Sequence, residues 1–144
     1  MRLLDLFCGQ GGAAMGYHGA LGPGWEVLGV DLAPQPRYPF AFLQADVTRL
    51  PVQFLQMFDL IHASPPCQFG TVMRHAPNAK GAAGHLNLIP ATRALLEASG
   101  APWVIENVEG TLSHLRGPTT LCGSMFGLGC TTSDGTRYQL QRHR

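Results

Sequence analysis

The sequence predicts an α/β domain built on a mostly parallel sheet with helices on both faces. Two patterns carry this reading. Short apolar runs alternate with helix-length segments along the 144 residues. Most of these runs end in Gly, Asp, Glu or Ser-Pro, which suits the ligand-facing carboxyl ends of strands in such sheets. Composition agrees: 45% hydrophobic and 13% charged residues favour one packed core over a disordered chain.

The elements follow in order. Leu3–Phe7 reads as a buried strand, interrupted by Asp5. Gly9-Gln10-Gly11-Gly12 ends it, and Ala13–Ala20 reads as a helix. After the turn at Gly22-Pro23-Gly24, Trp25–Val30 is a second strand ending at Asp31. Pro34, Pro36 and Pro39 keep the next stretch extended. Phe40–Ala45 is a third strand ending at Asp46, and Phe58–Ala63 a fourth ending at Ser64-Pro65-Pro66-Cys67. Residues 69–87 lack a period and read as a mobile loop. Leu88, Ala91, Leu95 and Leu96 mark a helix over Leu88–Ser99, stopped by Gly100. Trp103–Ile105 is a fifth strand ending at Glu106-Asn107. Residues 110–135 read as irregular, and Arg137–Arg144 as the opening of a further strand. The whole chain is expected to form one domain.

Charge narrows function little. Net charge is +1, but residues 1–72 carry three Lys/Arg against five Asp/Glu, and residues 73–144 carry seven against four. The acidic half suits sugar hydroxyls and the basic half suits phosphates, although ordinary scatter explains both. Cys8, Cys67, Cys122 and Cys130 form no C-x-x-C pair, so no metal is expected. No charged leader precedes a long apolar run, and no apolar run reaches membrane length. A cytoplasmic protein with reduced thiols and no membrane partner is expected.

The turn Phe7-Cys8-Gly9-Gln10-Gly11-Gly12 lies between a strand and a helix. Glycines there allow a ligand to approach the backbone closely. Asp31, about 20 residues on, is placed to bind ribose hydroxyls. With Ala14 in the third position, the spacing also admits a nicotinamide cofactor. Pro65 and Pro66 stiffen the approach to Cys67. A nucleophilic cysteine must be a thiolate, and Arg74, His75, Arg142 and Arg144 are the cations available to favour one. Taken alone, Cys67 reads equally as a buried structural thiol.

Four segments together resemble a known family. Leu4-Asp5-Leu6-Phe7-Cys8-Gly9-Gln10-Gly11-Gly12 resembles the first motif of DNA cytosine-5 methyltransferases. Ser64-Pro65-Pro66-Cys67-Gln68 resembles their Pro-Cys-Gln motif, and Glu106-Asn107-Val108 their Glu-Asn-Val motif. Arg142-His143-Arg144 resembles an Arg-x-Arg core, with Leu140 where that motif usually has Gln. The four come in the family's order across nearly the whole chain.

The resemblance implies a Rossmann-like, S-adenosylmethionine-dependent methyltransferase fold. It implies Cys67 as nucleophile, Glu106 at N3 of cytosine, Arg144 and Arg142 at its O2 edge, and Asn107 and Pro66 setting the Cys67 loop. Phe7, Gly9, Gly11 and Gly12 would line the cofactor site, with Asp31 at the ribose and Asp46 at the adenine amino group. DNA is the implied partner, with the target base flipped out of the helix. The family's target-recognition region and late motifs are absent from this sequence, so the chain reads as C-terminally incomplete. A second polypeptide is the expected source of recognition, and the isolated chain is expected to bind cofactor weakly and to be inactive or poorly active. Short compact forms of the family occur in phages, and the role stays open between restriction-modification, phage self-modification and others.

Three rivals stay open. An exocyclic-amine methyltransferase would use Ser64-Pro65-Pro66 but needs an aromatic where Cys67 stands. An RNA cytosine methyltransferase would use the same chemistry. An inactive module would bind only cofactor or a partner chain. His18, His62 and His85 read as structural or solvated, Cys8 and Cys122 as apolar fillers, and Trp25 and Trp103 as core. Tyr38 reads as either an adenine-packing ring or a loop anchor.

Overall fold

The computed structural model describes residues 1–70 and 86–139. The chain forms two compact units: Met1–Pro66 with Leu86–Glu106, and Cys67–His85 with Asn107–Arg144. Each is described by itself.

The first unit is a five-stranded parallel sheet. Its strands are β1 (Arg2–Leu6), β2 (Glu26–Asp31), β3 (Ala41–Gln44), β4 (Leu60–Ala63) and β5 (Trp103–Ile105), in spatial order β3-β2-β1-β4-β5. The helices are α1 (Gly12–Leu21), the single-turn α2 (Val52–Leu55) and α3 (Ile89–Ser99). The chain runs outward from β1 to β3, then returns to the other side of β1. Right-handed crossovers made in opposite directions put their helices on opposite faces.

The core confirms this layering. Leu4 and Leu6 of β1 pack with Val30, Ile61, Ala63, Leu55 of α2 and Leu96 of α3. Leu3, one residue out of phase, packs on the other face with Val27, Ala14 of α1 and Tyr38. The alternation along β1 is the two-residue period of a strand buried on both faces.

Local differences from the sequence pattern have local causes. The buried stripe of α3 is Ile89, Thr92, Leu96 and Ser99, turned from the predicted one, and Ala91 is exposed. Thr92 and Ser99 disguise the stripe because they are polar. Ser99 remains satisfied: its hydroxyl donates to the Leu96 carbonyl at 2.6 Å and accepts the Ala101 N–H at 3.2 Å. Asn87 Oδ1 accepts the Ile89 N–H at 3.0 Å, just ahead of Pro90 in the first turn, and Gly100 ends the helix in the left-handed region. The 3-10 turn Val47–Arg49 and α2 are too short for a period to reveal them.

The second unit is less regular. It holds 3-10 turns at Glu109–His114 and Gly123–Phe126, and an antiparallel pair, β6 (Gly129–Thr131) with β7 (Arg137–Gln139). The stretch predicted as irregular therefore contains β6, and the predicted last strand pairs with it. Most of the predicted loop over residues 69–87 lies outside the described residues, as do the last five positions. No helix among the described residues is long and apolar enough to cross a membrane.

Two buried polar groups sit side by side on the α1 face. Asp5 of β1 is in register with His62 of β4, and they are 0% and 5% exposed. Burial pushes the Asp5 carboxyl up to about 7, countered by the Tyr38 hydroxyl and reinforced by Asp31. Burial holds His62 down to about 4. Unfolded, Asp5 would titrate near about 3.9, so its contribution is full below that and lost as pH rises to its folded value. Unfolded His62 would titrate near about 6.5, so its contribution is full above that and lost as pH falls to its folded value. The two slopes oppose each other. Relative to wild type, Asp5→Asn should lose stability toward acid by up to a few kcal/mol, and His62→Gln should lose it toward neutrality. Thermal melts across this range check both, and parallel pH profiles for all three proteins would disprove the assignment.

Candidate functional site

The carboxyl ends of β1 and β4 flank the point where strand order reverses. Open α/β sheets bind ligands at such a crevice. Phe7 leaves β1 with φ of 57°, an uncommon conformation for a bulky residue. The Ser64 N–H donates to the Leu6 carbonyl at 3.2 Å, and the Ser64 hydroxyl to the Phe7 carbonyl at 3.4 Å. Ser64 therefore ties the Ser-Pro-Pro end of β4 to the strained exit of β1. Pro65 is buried and Pro66 exposed.

The glycine turn is built from the β1 end to the start of α1. Cys8 N–H donates to Val30 at 3.2 Å, and Gly11 N–H to Cys8 at 3.0 Å. Gly9 and Gly11 have φ of 49° and 87°, and Gly11 caps α1. The first N–H groups of α1, beginning with Gly12, have no intrahelical acceptor and present a polarised end. Asp31 joins the turn to β2. Its Oδ2 accepts the Gly9 N–H and its Oδ1 the Ala33 N–H, each at 3.0 Å. A carboxylate has about four acceptor positions, so lone pairs remain for a ligand hydroxyl.

Asp46 has a more local role. Its Oδ1 accepts both the N–H and the hydroxyl of Thr48, at 2.9 and 2.7 Å, and its Oδ2 is 3.5 Å from Arg49. The Thr48 hydrogen bonds hold its carboxyl below the usual range, with Arg49 adding to them. It caps the turn after β3. Glu106 directly follows β5, with its N–H donating to the Ala63 carbonyl at 2.9 Å. The first unit thus brings Phe7, Gly9, Gly11, Gly12, Asp31, Asp46, Pro66 and Glu106 to strand ends or the turns directly after them.

Cys67 and Asn107 belong to the second unit. Cys67 is half-buried and opens a turn that closes with the Gly70 N–H on its carbonyl at 3.0 Å. Asn107 is buried, and its Oδ1 accepts the Val108 N–H at 2.9 Å. The turn from Cys67 packs on the segment after Asn107. Gly70 lies against Gly110 and the methyl of Thr111, and Phe69 stacks edge-on with His114 at 5.4 Å. Arg142, Arg144, Arg74 and His75 lie outside the described residues.

The two cysteines in the motifs differ. Burial, then Asp5 and Asp31, push the Cys8 thiol up to about 12. Cys8 is a protonated filler and no nucleophile. Two structural roles carry no sequence signal, those of Ser64 and the Asp5–His62 pair, and of the two readings of Tyr38 the structure shows the buried anchor. Among the described residues no cluster of three or more His, Cys, Asp or Glu is arranged to hold a metal.

No protein-family model matches the sequence, and no curated protein matches it either. Solved structures do. A Spodoptera frugiperda DNMT2 mutant is similar with a TM-score of 0.56 and 21% identity, over 78% of this chain and 37% of that one. A Helicobacter pylori ADP-L-glycero-D-manno-heptose-6-epimerase gives 0.50 and 16%, over 82% and 42%. An S-adenosylmethionine-dependent methyltransferase from Mesorhizobium loti gives a looser 0.45 and 17%, over 98% and 57%. The chain thus spans well under half the length of the first two. At these identities the first two likenesses establish the Rossmann-like fold.

Asp31 generates a direct test. Asp31→Ala should leave the Gly9 and Ala33 N–H groups without their acceptor and cost about 1–3 kcal/mol. Asp31→Asn, which keeps one acceptor oxygen, should cost less. Urea denaturation measures both, and an Asp31→Ala protein as stable as wild type would remove Asp31 from this role.

Proposed function

We propose that this chain is the cofactor-binding, catalytic part of a DNA cytosine-5 methyltransferase that uses S-adenosylmethionine, with Cys67 as its nucleophile. The observation that carries this is the ordered set of four family-like segments. The glycine turn and the Ser-Pro-Pro segment also follow the two strands that flank the switch point. The fold supports the reading without selecting it, since a sugar-nucleotide epimerase shares it.

The residues present fit the cofactor. The glycine turn leaves backbone exposed at Gly9 and Gly12, where no atom of the described residues lies within 4 Å of an added Cβ. Asp31 retains acceptor capacity for ribose hydroxyls. When bound, S-adenosylmethionine supplies an electrophilic methyl group.

The chain's own residues would do the rest. C5 of cytosine is a poor nucleophile. The Cys67 thiolate adds to C6 and makes C5 an enamine-like carbon nucleophile. Glu106 holds N3 and the amino group as charge develops there. Arg144 and Arg142 bind the O2 edge. Asn107 and Pro66 hold the turn that carries Cys67. After methyl transfer a base removes the C5 proton, and Cys67 departs as the thiolate. The same chemistry on RNA is the alternative acceptor reading.

The test is a covalent trap. Fluorine at C5 cannot leave as a proton does, so the adduct with Cys67 persists. Duplex DNA containing 5-fluorocytosine, mixed with the protein and S-adenosylmethionine, should give a denaturation-resistant complex, and Cys67→Ser should abolish it. A tRNA substrate with the same base tests the RNA acceptor. Protein that binds S-adenosylmethionine and methylates cytosine without forming either adduct would overturn the cysteine mechanism.

A further inference from the structure

We propose that Tyr38 is a positioning residue for the glycine turn and sets how tightly that turn binds its ligand. The ligand clause rests on the cofactor reading above. The positioning clause rests on geometry alone.

Tyr38 comes from the segment between β2 and β3, is 9% exposed, and reaches back across β2. Its ring lies over Gly29, the residue of β2 in register with Asp5. A Cβ on Gly29 would come within 2.6 Å of Tyr38 Cε1. The same ring lies against Gly11, where a Cβ would be 3.1 Å from Tyr38 Cδ2 and 2.6 Å from Pro39 Cδ. The ring alone makes Gly29 necessary, and at Gly11 the ring adds to the closer Pro39 and to a positive φ of 87°. Phe40 and Phe42 hold the ring from behind, with centroids 6.1 and 6.0 Å away.

The hydroxyl fixes how deep the ring sits. It donates to Asp5 Oδ2 at 3.2 Å, while Asp5 Oδ1 has no partner among the described residues. Removing the hydroxyl would leave the buried carboxyl without a hydrogen bond from any described residue. Apolar packing alone would need only a ring. A hydroxyl aimed at a buried carboxyl makes the depth of insertion specific.

Gly11 caps α1, so whatever sets Gly11 also sets the first turn of that helix. Asp31 tethers the turn at Gly9, and Tyr38 with Pro39 braces it at Gly11. The turn is held at two points from two segments. Loss of one support would let it sample other shapes, and apparent affinity falls in proportion to the fraction of time spent in the competent one.

The experiment uses Tyr38→Phe, which keeps the ring, and Gly29→Ala, which displaces it without touching the turn. Amide hydrogen exchange is followed without ligand, and S-adenosylhomocysteine binding by calorimetry. Exchange over residues 8–13 should rise in both variants, with α3 and β4 unchanged, and affinity should fall by about tenfold. If Tyr38 is only core filler, Tyr38→Phe will exchange and bind as wild type does, which overturns the proposal. If wild type itself does not bind S-adenosylhomocysteine, the cofactor reading and the ligand clause fall together. Faster exchange confined to the turn would then still support positioning, and unchanged exchange would overturn it.

Discussion

The structure depends on β1 being hydrogen-bonded on both sides. Arg2–Leu6 pairs in parallel with β2 on one edge and β4 on the other. A strand in that position must be apolar on both faces, and Leu3, Leu4 and Leu6 are fully buried. Its chain also has nowhere to go but out through the carboxyl edge, between two strands that continue in opposite lateral directions. The positive φ at Phe7 and the glycines after it answer that constraint. The crevice follows from connectivity before any ligand is considered.

Asp5 is the exception on that strand, and its cost explains its neighbours. Desolvating a carboxylate is expensive unless it is paired, and no cation pairs with Asp5 among the described residues. The alternative is to hold the proton. A neutral acid still wants hydrogen bonds, and Tyr38 supplies one. His62 solves the mirror problem by staying neutral, with its Nδ1 at 3.3 Å from the Tyr17 hydroxyl. The α1 face of the sheet is therefore polar in composition and nearly neutral in charge between the folded values of His62, about 4, and Asp5, about 7. In that range it lies beneath a turn rich in backbone dipoles without a full charge of its own.

Much of this was legible in the sequence, for reasons that differ by element. β1 and β2 stood out because buried parallel strands are short apolar runs, and β5 is as apolar although it lies at the edge with Val104 exposed. The glycine turn and Asp31 stood out because their types are rare at strand ends without a backbone reason. The stripe of α3 was misplaced because Thr92 and Ser99 face inward, and hydroxyls that bond locally do not reveal burial. Tyr38 was legible only as a choice between two roles. Gly29 reads as an ordinary residue of β2 until the ring from nine positions later is seen on top of it. Long-range packing of this kind leaves no periodic trace. Asp46 had a local signature, an acid two residues before Thr48, and that cap is what the structure contains.

The two motif cysteines show how far the fold goes toward chemistry. Both follow a strand, so position alone cannot rank them. Cys8 lies 7% exposed beside two carboxylates, and every influence on it except a weak local hydrogen bond opposes ionisation. Cys67 follows two prolines, is half-buried, and sits on a turn braced against Gly110 and Thr111. A nucleophile needs access and a fixed approach, and of the two only Cys67 has both. What completes a thiolate nucleophile is a source of positive charge, and among the motif residues that source would be Arg142 or Arg144. The nucleophile reading of Cys67 therefore stands or falls with the two arginines, more than with the sheet that delivers the chain to it.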